Sequence, residues 1–201
     1  MINYDDPNPI AHFNNWFFST KEAHPQIEVN AMSLATIDID GTPKSRVILL
    51  KAYDWEGFVF YTNYDSEKGV SIAHNKNVAL FFDWSVSGKN VLIQGHVHKV
   101  SESLSDVYFE NRPRGSQLGA WVSQQSTAIE SREILTKRLQ YYENKFHNTT
   151  IPKPDNWGGY KVMPQKIEFA SYSEADHLEK ISYQLLDNGC WKISTKFEIN
   201  N

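Results

Sequence analysis

The chain has 201 residues, a formal net charge of −4 and 13% aromatic residues. This length predicts a single domain, and the aromatic content excludes an intrinsically disordered chain, because large side chains can bury ample apolar area. The mildly acidic charge, the lack of an 18-residue apolar run and the single cysteine, Cys190, argue against a nucleic-acid partner, a membrane span and an internal disulfide, and they fit a cytoplasmic location.

The predicted elements begin with a helical segment over residues 1–25. Its first residues are acidic and polar, unlike a signal or transit peptide, and its apolar residues recur at helical spacing at Ile10, Phe13, Trp16 and Phe17. The block that follows predicts strands over 32–37, 45–51, 58–62, 77–84 and 90–100, with a short helix over 66–75. Short turns between these strands are typical of an antiparallel barrel or sandwich and not of βαβ units.

Helices are predicted next, before a final group of strands. Ser103 is expected to cap a helix that ends near Asn111. A second helix over 130–146, with one buried face, is predicted from the spacing of Leu135, Leu139, Tyr142 and Phe146. Strands are then predicted over 160–163, 166–170, 181–186 and 191–199. Since no linker separates these groups, we predict one α+β domain over residues 1–201, with residues 170–201 as its C-terminal strands.

Common catalytic signatures are absent from the sequence. It contains no Gly-x-Gly-x-x-Gly, P-loop, Gly-x-Ser-x-Gly or His-Glu-x-x-His motif, which argues against a Rossmann enzyme, a P-loop nucleotidase and a zincin. His96 and His98 share a strand face, but no third ligand accompanies them. We therefore expect an exposed strand face there and no metal site.

Three places in the sequence have residues suited to an anion. Arg46 lies in an otherwise apolar strand, where its cation either faces solvent or meets an anion. Tyr108 and Arg112 share a helix face with Ser116 just beyond, which indicates either a phosphate clamp or an ordinary helix end. Ser66-Glu67-Lys68 opens a helix, which indicates either a phosphate site at free backbone N–H groups or a serine cap beside a solvated lysine.

Seven segments carry an unusual combination of residues that reaches beyond these places. They are Asp6-Pro7-x-Pro9, Arg46-Val47-Ile48-Leu49-Leu50-Lys51, Phe58-Val59-Phe60-Tyr61-Thr62-Asn63, Tyr108-Phe109-x-x-Arg112-Pro113-Arg114-x-Ser116-Gln117-x-Gly119-Ala120-Trp121, Gln125-Ser126, Glu130-Ser131-Arg132 and Trp157-Gly158-Gly159-Tyr160. In these segments the chain resembles the pyridoxamine 5′-phosphate oxidase family, from Asp6 to about Phe169.

The resemblance implies a fold, a cofactor and a reaction. The expected fold is an FMN-binding split β-barrel, antiparallel and Greek-key-like with flanking helices, in a homodimer that binds FMN at its interface. The expected reaction oxidises pyridoxamine 5′-phosphate or pyridoxine 5′-phosphate to pyridoxal 5′-phosphate in vitamin B6 salvage, with O2 as acceptor and H2O2 as by-product. The alternatives are a family member with a different substrate and a non-enzymatic binder of FMN or pyridoxal phosphate.

The resemblance also implies roles for individual residues. Those expected to bind FMN are Arg46, Val47, Ile48, Leu49, Tyr61, Thr62, Lys68, Asn90, Gln125, Ser126 and Lys180, with Gln125 and Ser126 contributed by the second copy of the chain. Those expected to bind the substrate's phosphate are Lys51, Tyr108, Arg112 and Ser116. Arg46 and Lys51 are five positions apart, so a regular strand would send them to opposite faces. A bulge, a twist or the end of the strand must intervene if both serve one cleft.

The sequence departs from the family's pattern at several of the implied positions. The family has tryptophan at Ala170, arginine at Asp176, histidine at Leu178 and arginine at Lys180, and upstream it has arginine at Glu67 and glutamine at Asn90. Each reversal from arginine to a carboxylate is expected to cost on the order of 1–3 kcal/mol of anion binding. These departures are the reason for keeping the two alternatives.

Overall fold

The computed structural model describes residues 8–123, 131–172 and 177–199. Within these ranges the helices are α1 (Pro9–Ala23), α2 (Glu67–His74), α3 (Glu102–Glu110), α4 (Arg114–Val122) and α5 (Arg132–Lys145). The strands are β1 (Ala31–Ile37), β2 (Pro43–Leu49), β3 (Ala52–Asp54), β4 (Gly57–Asn63), β5 (Asn77–Trp84), β6 (Lys89–Lys99), β7 (Trp157–Tyr172), β8 (His177–Leu185) and β9 (Trp191–Ile199). No helix in the described ranges has the length and apolar character needed to cross a membrane.

All nine strands join one antiparallel sheet. The hydrogen-bonded order is β2–β1–β5–β6–β7–β4–β3, and β8 and β9 branch from β7. On one side of β7, its first half pairs with β4 and its second half pairs with β8. On the other side, β6 pairs with residues 160–171 of β7. The sheet curls into a split β-barrel with helices against it, which confirms the predicted α+β fold class.

The main core lies between α1 and the inner face of the sheet. Phe13, fully buried in α1, packs edge-on against Phe58 and Phe82, with ring centroids 4.9 and 5.1 Å away. His12 of the same helix stacks on Phe169 of β7 at 3.8 Å. Burial of these large rings removes apolar area from water, which is the main favourable contribution to folding.

A second, smaller core forms where the central helices meet the start of β7. Its buried members are Phe109, Leu118, Phe146, Ile151 and Trp157. This cluster anchors α3 and α4 against the sheet, beside the residues that the sequence marked as a phosphate clamp.

Several element predictions were wrong in detail. Residues 160–163 and 166–170 belong to one strand, β7. Its register against β6 shifts by one residue at Gln165, opposite Gln94 and Gly95, and this bulge in β7 accommodates Pro164. Ser101 and not Ser103 caps α3, and its hydroxyl accepts a hydrogen bond from the Leu104 N–H at 3.2 Å. The elements β3 and α4 were not predicted, since a three-residue strand and a nine-residue helix with two glycines carry little periodic signal.

The predicted buried face of α5 was also wrong. No residue of this helix is buried, and Leu139 is 38% exposed. Phe146, which directly follows the helix, is the one residue of the predicted stripe that is buried. The apolar spacing correctly indicates a helix but does not determine what packs against it.

Candidate functional site

Two groups of functional side chains meet at the end of β4. Tyr61 and Thr62 are neighbours in this strand, so their side chains point to opposite sides of it. Thr62 accepts a hydrogen bond from Lys68, which belongs to a group of cations, whereas Tyr61 lies in a stack of aromatic rings. The strand therefore separates two chemically distinct surfaces by the width of a single backbone.

The first group is a basic cluster formed by Lys44, Arg46 and Lys68. The Lys68 ammonium donates to the Thr62 and Ser66 hydroxyls, with Nζ to Oγ1 and Nζ to Oγ distances of 3.3 and 3.2 Å. An Arg46 guanidinium nitrogen, Nη1, donates to the Thr36 hydroxyl at 2.7 Å. Lys44 and Arg46 occupy alternate positions of β2, so they share one face of the strand.

The local structure at α2 completes this cluster. Ser66 is fully buried and caps α2, its hydroxyl accepting a hydrogen bond from the Gly69 N–H at 3.3 Å. The amino end of a helix carries partial positive charge and unpaired N–H groups, which favour a bound anion. Lys68, in the first turn, adds a full positive charge at the same place.

The pKa values of two of these cations, Arg46 and Lys68, are lowered, mainly by burial. Burial lowers the pKa of Arg46, although the neighbouring carboxylates of Glu67 and Asp38 partly counteract this effect. Burial also lowers the pKa of Lys68, and the nearby positive charge of Arg46 lowers it further. Both shifts reflect cations that are partly removed from water and close to each other. A bound dianion would favour the charged form of both side chains and would therefore raise both pKa values.

Two carboxylates lie at the edge of the basic cluster. The Lys44 ammonium forms an ion pair with Asp38, at 2.7 Å between Nζ and Oδ2, and another with Glu67. Hydrogen bonds to these carboxylates raise the pKa of Lys44, which keeps it charged. Glu67, at the position where the sequence resemblance predicts arginine, therefore has a compensating cation two residues from Arg46 along β2.

The second group is an aromatic stack formed by Tyr61, Tyr108 and Trp157. The Tyr61 and Tyr108 rings lie 3.8 Å apart at 3° between planes, and Tyr61 and Trp157 lie 5.4 Å apart at 10°. Burial raises the pKa of both tyrosines, so their hydroxyls remain protonated at neutral pH and can donate hydrogen bonds. Gly159 leaves the space for this arrangement, because a Cβ there would lie 2.7 Å from Tyr61 Cε1.

Arg112 lies against this stack. Its guanidinium carbon is 4.7 Å from the centre of the Trp157 ring and 5.6 Å from that of Phe109. Burial lowers the pKa of Arg112, and its Nη1 nitrogen is buried with no hydrogen-bond partner among the described residues. A buried, unpaired donor on a cation is costly, so this nitrogen is suited to an oxygen supplied by a ligand.

The other two residues of the predicted phosphate clamp, Lys51 and Ser116, are both exposed. No hydrogen bond or ion pair in the described ranges connects either side chain with Arg112. At Lys51 the chain leaves β2: the Leu50 N–H donates to the Asn30 carbonyl and the Lys51 N–H to the Val59 carbonyl. The end of the strand thus separates Lys51 from the alternation that governs Arg46.

Three more residues of β2, Val47, Ile48 and Leu49, are predicted to bind FMN, and their side chains alternate between the two faces of the strand. Ile48 packs against the main core on the same side as Arg46, while Val47 and Leu49 are exposed on the opposite side. β2 pairs with β1 and ends the sheet order in the described structure. Its outer backbone groups are therefore available for hydrogen bonds to a ligand or to another chain.

Asn90 and Lys180 lie in one row across the sheet. Asn90 of β6 is opposite Ala170 of β7, which is opposite Lys180 of β8. Leu178, two residues before Lys180, is buried. Asp176, Gln125 and Ser126 lie outside the described residues. The structure thus places the departures at Ala170 and Lys180 side by side, apart from the basic cluster.

Two residues of the site received no role from the sequence. Lys44 could have been found from its spacing, because it alternates with Arg46 on one strand face. Trp157 could not, since its contact with Arg112 joins residues that are far apart in the chain. In the described ranges, no group of three His, Cys, Asp or Glu side chains lies close enough to bind a metal ion.

Comparisons with known proteins agree on one family. A family profile described as "Pyridoxamine 5'-phosphate oxidase" matches residues 19–146. The pyridoxine/pyridoxamine 5′-phosphate oxidase of Nostoc punctiforme is 47% identical over 188 residues, which cover 94% of this chain and 87% of that protein. The corresponding protein of Flavobacterium psychrophilum is 47% identical over 186 residues, or 92% of this chain and 87% of the relative.

Solved structures show the same fold. PhzG from Burkholderia lata, in complex with tetrahydrophenazine-1-carboxylic acid, aligns with a TM-score of 0.90 and 26% identity over 98% of this chain and 97% of its own. A pyridoxamine 5′-phosphate oxidase-related, FMN-binding protein from Nostoc punctiforme aligns with a TM-score of 0.72 and 14% identity over the full length of both chains. At that identity, the second comparison concerns the fold alone.

Proposed function

Because the chain belongs to the pyridoxamine 5′-phosphate oxidase family, we propose that it is an FMN-dependent oxidase that produces pyridoxal 5′-phosphate. Pyridoxine 5′-phosphate and O2 would give pyridoxal 5′-phosphate and H2O2. Pyridoxamine 5′-phosphate, O2 and water would give the same two products and ammonia. The proposed role is vitamin B6 salvage in the cytoplasm.

The observation that carries this proposal is the presence of two groups of cationic and hydroxyl side chains on either side of β4. The reaction requires two phosphate-bearing molecules, a cofactor and a substrate, to bind next to each other. The basic cluster provides cations and hydroxyl donors on one side. On the other side, Arg112 and the hydroxyl of Tyr108, here called the Arg112 group, provide a cation and a donor. Thr62 contacts the first group and Tyr61 contacts the second, and these two residues are neighbours in β4. Such an arrangement supports binding of the two ligands side by side.

The residues of the basic cluster fit the phosphate of FMN. Arg46 and Lys68 are partly desolvated cations, and Thr62, Ser66 and the amino end of α2 surround Lys68. At the free edge of β2, alternate residues of the segment 47–49 present outward-facing backbone N–H and C=O groups. When bound, FMN supplies the hydride acceptor for the oxidation. The protein's own residues hold the phosphate and thereby fix the position of the cofactor.

The Arg112 group fits the phosphate of the substrate. The fork of Arg112 and the protonated hydroxyl of Tyr108 are donors suited to phosphate oxygens. Ser116 and Lys51 are exposed, and they complete this group in the proposal if the bound substrate brings them together. The role of these four residues is to bind and orient the substrate, so that its C4′ carbon faces the cofactor.

We further propose that the active unit is a homodimer, with Gln125 and Ser126 of one subunit completing the flavin site of the other. The support is an apolar patch on the outer face of the sheet. Val47 and Phe81 are 71% and 37% exposed, and both pair with Ser33, so they lie in one row across three strands. Exposed apolar rows on a sheet favour a protein partner. Val47→Asp is expected to produce monomers, measured by sedimentation, and dimers that persist would contradict this interface.

The test of the proposed activity uses purified protein with FMN and pyridoxine 5′-phosphate. We expect pyridoxal 5′-phosphate to form together with an equal amount of H2O2. Bound flavin without formation of pyridoxal 5′-phosphate from either B6 substrate would contradict the proposal. Unphosphorylated pyridoxine serves as the control, because it cannot use the Arg112 group.

A second candidate is a flavoprotein oxidase of the same family that acts on a different substrate. It is favoured by the 26% identical PhzG structure, whose ligand is a carboxylic acid without phosphate, and by the departures at Ala170 and Lys180, which lie opposite each other on β7 and β8. A screen of aromatic carboxylic acids for anaerobic bleaching of the bound flavin distinguishes the two. Bleaching by B6 phosphates alone would eliminate this candidate.

A further inference from the structure

We propose that Lys44 is a third cationic ligand for the phosphate of FMN. Before FMN binds, Glu67 pairs with the Lys44 ammonium, and the bound phosphate then takes the place of the Glu67 carboxylate. This inference rests on the proposed function, because it concerns the same cofactor site. It assigns a role to a cation for which the family resemblance gives none. It also explains how a carboxylate is accommodated next to the proposed phosphate site.

Lys44 is positioned by the same strand as Arg46. The two side chains share a face of β2, and Arg46 Nη1 donates to the Lys44 carbonyl at 3.3 Å. Arg46 also donates to Thr36, which is the register partner of Lys44 on β1. The backbone therefore fixes Lys44 next to Arg46, and only its flexible four-carbon side chain determines where the charge lies.

Glu67 lies between the cations of the basic cluster. It is the first residue of α2, its carboxylate contacts the Lys44 ammonium, and its charge acts on both Arg46 and Lys68. A phosphate that binds Arg46 and Lys68 must come close to this carboxylate. Like charges at short distance repel, so binding is expected to move Glu67 outward.

The existing ion pairs are suited to exchange. The Lys44 side chain is 34% exposed, and those of Asp38 and Glu67 are 22% and 47% exposed. Ion pairs that remain in contact with water contribute little to stability, so Lys44 can leave Glu67 at small cost. A phosphate dianion offers more charge and more acceptor oxygens than one carboxylate, and it therefore competes well for the ammonium.

The experiment measures dissociation constants of FMN and riboflavin by quenching of flavin fluorescence. The variants are Glu67→Gln, Lys44→Met and the double variant, because methionine keeps much of the lysine stem and removes its charge. We expect Glu67→Gln to tighten FMN binding about tenfold. We expect Lys44→Met to weaken FMN binding about tenfold in both the wild-type and the Glu67→Gln background. Riboflavin, which lacks the phosphate, should bind all four proteins equally.

Lys161→Met is the matched control. Lys161 also contacts two carboxylates, Asp54 at 2.8 Å and Glu56 at 2.5 Å, but it lies on β7 away from the basic cluster. Its substitution should leave FMN affinity unchanged, and Lys44→Arg should restore most of the affinity lost in Lys44→Met.

Two results would overturn the inference. If Lys44→Met has no effect in the Glu67→Gln background, Lys44 only neutralises Glu67 and does not bind phosphate. If neither single variant changes FMN affinity, the two residues lie outside the cofactor site. A wild-type protein that does not bind FMN would instead contradict the proposed function.

Discussion

The guanidinium group of Arg112 rests on the face of the Trp157 ring, 4.7 Å from its centre, and forms no ion pair with a carboxylate in the described ranges. Most partly buried arginines are neutralised by an acidic residue. Here an aromatic face provides the favourable electrostatic contact. The positive charge and the donors of Arg112 consequently remain available for an incoming anion.

Arg112→Ala is expected to weaken binding of the phosphorylated substrate and to leave the flavin in place. Hydrogen bonds to charged groups contribute about 1.5–3 kcal/mol, which corresponds to an increase in KM of roughly 10- to 100-fold. Steady-state kinetics with pyridoxine 5′-phosphate and FMN titration measure the two effects separately. Arg112→Lys, which keeps the charge but loses the planar fork, should give an intermediate KM. Loss of flavin would mean that Arg112 binds the cofactor.

Trp157→Leu is expected to raise KM for phosphorylated substrate several-fold, because Arg112 loses the ring on which it rests. A partly exposed cation–π contact contributes about 0.5–2 kcal/mol. Trp157→Phe retains an aromatic face and should recover most of the affinity. The ratio of KM values for phosphorylated and unphosphorylated pyridoxine is the informative measurement. A general loss of structure would change both values, so an unchanged ratio would refute the positioning role of Trp157.

Acid is expected to destabilise the protein through His12. Burial, with a smaller contribution from the charge of Lys89, lowers the pKa of His12 from 6.5 to about 4. Between these values the unfolded chain binds a proton that the folded protein excludes. The resulting stability is present above pH 6.5 and is lost as the pH falls towards 4. Urea unfolding from pH 7 to pH 4.5 should show a loss of about 2–3 kcal/mol from this residue.

His12→Phe is the variant that isolates this effect. Phenylalanine keeps a ring against Phe169 but cannot be protonated. Its unfolding free energy should therefore depend less steeply on pH between 7 and 4.5 than that of the wild type. Equal slopes in wild type and His12→Phe would show that His12 is not buried as a neutral group.

Gly159→Ala is expected to disturb the Tyr61–Tyr108 stack. The new Cβ would lie 2.7 Å from Tyr61 Cε1 and 2.6 Å from Val100 Cγ2, so at least one side chain must move. Overpacking of this kind costs about 1–3 kcal/mol, measurable by urea unfolding, and near-ultraviolet circular dichroism should report the displaced tyrosines. Gly115→Ala, at an exposed position of α4 where the new Cβ meets nothing within 4 Å, should instead stabilise the protein by about 0.5–1 kcal/mol. Unchanged tyrosine signals in Gly159→Ala would contradict the constraint.

Much of the sheet could be predicted from local patterns, because alternation and turn residues are properties of neighbouring positions. The strands over 77–84 and 191–199 were predicted with their observed bounds, and others differ by a few residues. Whether the apolar face of α5 is buried could not be predicted. Its apolar spacing defines a face, but whether anything packs on that face depends on contacts with distant parts of the chain.

The candidate site was predictable to a similar degree. The family resemblance named Arg46, Lys68, Tyr108 and Arg112, and the structure brings them into two groups whose roles stay predictions. The contacts that distinguish this chain join residues far apart in sequence, such as Lys44 with Glu67 and Arg112 with Trp157. Spacing within one element carries no information about such pairs, which depend on the register of the sheet.

The two halves of the long strand β7 pair with different neighbouring strands. Its first six residues pair with β4 beside the aromatic stack, whereas residues 166–172 carry β8 and, through it, β9. Substitutions in the terminal hairpin can accumulate during evolution without altering the backbone that supports the cations. A lineage that needs a new small-molecule preference could modify this hairpin and inherit the half that carries the aromatic stack unchanged.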